Sequence, residues 1–97
     1  MEKPNLIVDK TFHFSLMAIE LCNVLDERKK FAISNQLLRS ATSIGANVRE
    51  AQNAESESDF VHKLKIAAKE AEETMYWLDL CLYSTTYPNT ENEKTEL

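Results

Sequence analysis

The sequence predicts an all-α protein: an antiparallel up-down helical bundle of three long helices with a short or truncated fourth. Three observations predict it. Apolar residues recur at spacings of three and four through most of the 97 residues, which is the period of one helix face. One Gly and two Pro are too few for the turns of a β-sandwich or barrel. The polar breaks near residues 28 and 55 are short, and short connections make successive helices antiparallel neighbours. A single domain over residues 1–97 is expected, with residues 88–97 as a polar tail or the start of a fourth helix.

The first helix spans about residues 6–29. Val8, Phe12, Leu16 and Ile19 form one apolar stripe, and Phe14, Met17, Leu21 and Leu25 form a second, nearly opposite. A helix apolar on two sides cannot bury both against one neighbour, so it is expected to sit between partners, either inside a bundle or with one side against another subunit. Phe14, Met17, Leu21 and Leu25 are the candidate contact. The run Asp26 to Lys30 then gives a polar break whose cations suit a helix C-terminus.

The second helix spans about residues 31–54. Its stripe is narrow and rich in small residues: Ile33, Leu37, Ala41, Ile44, Val48 and Ala51. The only glycine, Gly45, lies beside it. Glycine inside a helix costs about 1 kcal/mol relative to alanine, and close approach of a neighbouring helix is the expected compensation.

The third helix spans about residues 57–86. Ser56 with Asp59 resembles a capping box. The core stripe is Phe60, Leu64, Ala67, Ala71, Met75, Leu78 and Leu82, and Pro88 ends the segment. A second patch of Ile66, Trp77 and Leu80 is a further candidate subunit contact. For Trp77, closure of the chain's own core stands as an equal reading.

The same residues exclude several function classes. No glycine-rich phosphate loop can be built with one Gly, and no GxSxG elbow occurs. His13 and His62 are the two histidines, and neither follows a Glu at the i, i+3 spacing of a bundle metal site. Cys22 and Cys81 are too few for a disulfide framework and sit among leucines, so two buried thiols in a reducing compartment are expected. No apolar run reaches the roughly 18–20 residues of a membrane span, and the N-terminal MEKPNLIVDK has no signal-peptide core. The expectation is a cytoplasmic protein with no catalysis, no cofactor, no metal, no membrane contact and no small-molecule substrate.

Charge bears on nucleic acid. The net charge of -5 falls in residues 56–97, where four lysines (Lys63, Lys65, Lys69 and Lys94) face nine carboxylates. An acidic balance argues against a general phosphate-binding surface. Arg39 and Arg49, however, project from the second helix away from its stripe. They are the candidate RNA or DNA contacts, as a basic rim repeated around an assembly. Lys69 lies four residues before Glu73 and is expected to pair with it.

In the second helix the run Gln36-Leu37-Leu38-Arg39-Ser40-Ala41-Thr42-Ser43-Ile44-Gly45-Ala46-Asn47-Val48-Arg49-Glu50 is specific. It resembles the four-helix-bundle proteins encoded in 23S rRNA intervening sequences. Asp59-Phe60, Leu64, Ile66-Ala67, Lys69-Glu70-Ala71, Glu73-Thr74 and Trp77-Leu78 continue the likeness, which covers about residues 8–85. The family is bacterial and resembles the accessory protein of diversity-generating retroelements. The resemblance implies an up-down four-helix bundle assembled as a ring-shaped homopentamer, without catalysis. Its implied role is as scaffold or interaction module, or as an RNA- or DNA-binding accessory to rRNA or a reverse transcriptase. Two features depart from the pattern. Ala51 stands where the family commonly has Gly, which predicts a slightly later turn. The family also carries a full fourth helix, of which residues 89–97 supply only the beginning.

Overall fold

The computed structural model describes residues 5–97. Four helices follow one another: α1 (Leu6–Glu27), α2 (Phe31–Ala51), α3 (Glu57–Tyr83) and α4 (Glu91–Glu96). Cross-links between side chains fix their directions. Asn5 Nδ2 donates to Gln52 Oε1 at one end of the α1–α2 pair, and Cys22 and Ser34 meet at the other. Glu50 pairs with Lys63, and Arg39 with Glu70 and Glu73, along α2–α3. Both pairs are therefore antiparallel, as the short connections require. α2 packs on both long neighbours, whereas the backbones of α1 and α3 stay apart. The short α4 touches both α1 and α3.

The core follows a seven-residue spacing. Phe14, Ala18, Leu21 and Leu25 of α1 meet Leu37, Ala41, Ile44 and Val48 of α2, with Ala67, Leu78 and Cys81 from α3. Alternating steps of three and four keep one seam facing its partner along the pair. Thr74 fills the α3 position between Ala67 and Cys81 and is fully buried. Phe60, expected in the core stripe, is instead exposed. It lies in the first turn of α3, level with the last turn of α2, where little of α2 remains to cover it.

The helices end earlier than periodicity suggested. α1 stops at Glu27 because Lys29 takes φ 62°, a left-handed conformation that ends helices and favours Gly. α2 stops at Ala51 rather than near 54. Residues 52–54 continue only as tight i→i+3 hydrogen bonds. α3 stops at Tyr83 rather than 86, where Ser84 turns extended. The start of α3 matches expectation: Ser56 Oγ accepts the Asp59 N–H at 3.0 Å. The returning bond goes from the Glu55 N–H to Asp59 Oδ2, one residue before the usual box.

Gly45 does what its place implied. A Cβ there would lie 3.3 Å from both Ser15 Oγ and the Thr11 carbonyl oxygen of α1, so its absence lets the two helices close. Thr90 precedes α4 with its hydroxyl fully buried, donating to the Leu78 carbonyl at 2.7 Å. Lys94 Nζ meets Asp79 Oδ1 at 2.6 Å, and Leu97 packs against the core. Six residues of helix thus lie over α1 and α3.

Candidate functional site

The two apolar sides of α1 have different fates, and they reverse the expected assignment. Phe14, Leu21 and Leu25 are buried in the chain's own core and Met17 is half-buried, so these residues are not a free subunit contact. Their spacing matches the α2 seam, and that seam takes them. The opposite side stays open: Phe12, Leu16 and Ile19 are 42–53% exposed. Large apolar side chains in contiguous exposed positions mark an interaction surface.

Around this stripe the surface has shape. A cleft of about 360 Å³ runs between α1 and α2, lined by Val8, Phe12, Ser15, Thr42, Gly45, Ala46, Arg49 and Glu50. It exists because Gly45 and Ala46 leave room. The Arg49 guanidinium covers one wall, 5.7 Å from the centre of the Phe12 ring, a cation–π distance. Arg49 has no carboxylate partner among the described residues.

Arg39 is placed otherwise. Its guanidinium reaches Glu70 Oε2 at 3.1 Å and also Glu73 Oε2. Two carboxylates hold it across the α2–α3 seam, so its charge is not left for phosphate. Glu73 therefore pairs with Arg39 rather than with Lys69, and it also accepts a hydrogen bond from Trp77 Nε1 at 3.0 Å. The indole bond first, then the guanidinium, hold the Glu73 carboxyl below its ordinary value. Charge-assisted bonding of this kind favours the ionised form.

The α3 patch divides in the same way. Trp77 packs against the core with its indole nitrogen satisfied by Glu73, which supports closure of the chain's own bundle over a subunit anchor. Ile66 is half-buried and Leu80 is 41% exposed. Tyr76 and Tyr83 extend the exposed part of the patch, and sequence reasoning missed both. Their spacing from Leu80, four before and three after, was the available signal.

A second groove runs between α1 and α3 over α2, about 390 Å³ in volume, with Phe14, Ile44, Val48, Leu64 and Ala67 on its walls and Leu97 at one end. The thiols lie deep. Burial raises Cys22, and burial pushes Cys81 up to about 11. Such thiols are protonated and poor nucleophiles at neutral pH. Among the described residues no group of three His, Cys, Asp or Glu could hold a metal ion, and no helix is long and apolar enough to cross a membrane.

Comparison with known proteins agrees with this architecture. No curated protein matches the chain. Among solved structures it is similar to a protein of unknown function from the S23 ribosomal protein family of Bacteroides thetaiotaomicron VPI-5482. The two share 42% identity and a TM-score of 0.87, over 93% of this chain and 86% of that one. The sequence model of the 23S rRNA-intervening sequence proteins matches residues 3–97. The chain belongs to the 23S rRNA-intervening sequence protein family.

Proposed function

We propose that the protein is a non-catalytic, self-associating helical-bundle module that acts as a scaffold inside the cell, assembled as the homopentameric ring the family resemblance implies. The observation that carries this reading is the open stripe of Phe12, Leu16 and Ile19 on α1. A chain of this size buries a smaller fraction of its surface than a larger domain does, so its own core is marginal. The three large apolar side chains are already about half covered, so burying the rest contributes about 1 kcal/mol for each, roughly half of what a fully exposed side chain would give. The test is sedimentation of the unmutated chain beside Leu16→Glu. The unmutated chain should sediment as a multi-subunit species and the variant as a monomer of unchanged helicity. A variant that assembles like the parent would remove the stripe from the contact.

A second reading, an RNA- or DNA-binding accessory protein working with rRNA or a reverse transcriptase, draws on Arg49 alone. Arg49 stacks on Phe12 without a carboxylate partner among the described residues, whereas Arg39 is neutralised by Glu70 and Glu73. Binding by phosphate contacts must weaken steeply with salt. Titration of labelled RNA and DNA at low and moderate salt tests it. Binding that Arg49→Glu leaves unchanged would count against the reading.

A further inference from the structure

We propose that the cleft between α1 and α2 binds the C-terminal residue of a peptide, one with an apolar side chain and a free carboxylate. The inference goes beyond self-association and does not rest on it. Of the open stripe only Phe12 lines the cleft, while Leu16 and Ile19 lie outside it.

Three features of the cleft select this ligand. The first is its apolar slot. Gly45 and Ala46 leave the space, and the side chains of Val8 and Phe12 wall it. Its volume of about 360 Å³ is at the lower end for small-ligand sites and accommodates one aliphatic side chain with its own backbone.

The second is an uncommitted cation. The Arg49 guanidinium lies against the Phe12 ring and has no carboxylate partner among the described residues. Glu50, the acid in the lining, is paired with Lys63 of α3 at 3.7 Å. A guanidinium offers parallel N–H donors whose fork matches a carboxylate.

The third separates a peptide terminus from phosphate and from a simple acid. The two hydroxyls of the lining have spent their protons on their own helices. Ser15 Oγ donates to the Thr11 carbonyl at 3.0 Å, and Thr42 Oγ1 to the Leu38 carbonyl at 2.7 Å. Both therefore present acceptor lone pairs to the cleft and keep no proton for a phosphate oxygen. What they can receive is an N–H. The last residue of a peptide carries an apolar side chain, a carboxylate and an amide N–H around one Cα. An internal peptide segment lacks the carboxylate, and a free aliphatic acid lacks the N–H.

Probes that remove these features one at a time test the assignment on the unmutated chain, read by amide NMR shifts. N-acetyl-leucine has all three and should give saturable shifts at Phe12, Gly45, Ala46 and Arg49. N-acetyl-leucinamide, without the carboxylate, should bind about tenfold more weakly or worse, and isocaproate, without the N–H, about threefold more weakly or worse. Inorganic phosphate should not displace N-acetyl-leucine. Arg49→Gln should bring the acid and its amide to equal affinity. Ala46→Leu, at an exposed position, should fill the slot and abolish binding, with circular dichroism to check that both variants fold. Leu16→Glu spoils the stripe but not the lining, so it should bind like the parent. No saturable shift with N-acetyl-leucine, or equal binding of the acid and its amide by the unmutated chain, would overturn the site. Isocaproate binding as tightly as N-acetyl-leucine, or phosphate displacing it, would overturn the peptide terminus as its ligand.

Discussion

The hydroxyl of Thr74 on α3 lies 2.9 Å from that of Ser40 on α2, both fully buried at the centre of the seam. The Thr74 hydroxyl also reaches the Glu70 carbonyl at 2.7 Å. Small polar residues here let the helices approach while satisfying each other. Replacing Thr74→Val keeps the shape and removes one partner, so stability should fall by about 1–2 kcal/mol. Adding Ser40→Ala should cost less than the same change in the parent, because the Ser40 hydroxyl, left with only its 3.4 Å bond to the Leu37 carbonyl, goes with it. Urea denaturation of the two single variants and the double variant measures the coupling.

Gly45 sets the spacing of α1 and α2. In Gly45→Ala the gain in helix propensity, about 1 kcal/mol, opposes crowding at 3.3 Å against the Thr11 carbonyl. Gly45→Val has no such balance and should cost about 1–3 kcal/mol by forcing the helices apart. Thermal unfolding of the two variants checks the order, and a Val variant as stable as the parent would contradict the close approach.

Lys29 offers the opposite case. Its φ of 62° strains a side-chain-bearing residue, and its side chain is exposed. Lys29→Gly should therefore stabilise the chain by about 0.5–1 kcal/mol. Lys29→Val should destabilise it, since a β-branched residue resists that conformation.

Glu73 gives the protein an acid-side dependence. Its carboxyl is held down by the Trp77 indole and then by Arg39. Stability from these bonds is fully present above the ordinary glutamate value, about 4.3. It is lost as pH falls through the lower value of the folded state. Trp77→Phe removes the indole donor, so the carboxyl should titrate at higher pH and the acid-dependent loss should be smaller and complete at higher pH. Carbon NMR of the Glu73 carboxyl in both proteins measures this, and identical titrations would contradict it.

Much of the fold was legible because α2 is explicit. Leu37, Ala41, Ile44 and Val48 repeat at steps of three and four, and Gly45 beside them announces a close neighbour. α1 misled because both of its sides are apolar and counting hydrophobics cannot rank them. Including Ala18 with Phe14, Leu21 and Leu25 would have shown the same seam as α2, leaving Phe12, Leu16 and Ile19 outside. α3 hid its seam differently, with Thr74 and Cys81 where large apolar residues were sought. Arg39 was placed on the correct face, but its partners lie on another helix, which no spacing within α2 reveals.

The mass of the unmutated chain at micromolar concentration tests self-association most directly. Sedimentation equilibrium should give a single species several times the 11.1 kDa of one chain. A species of 11.1 kDa at every concentration and salt would contradict it.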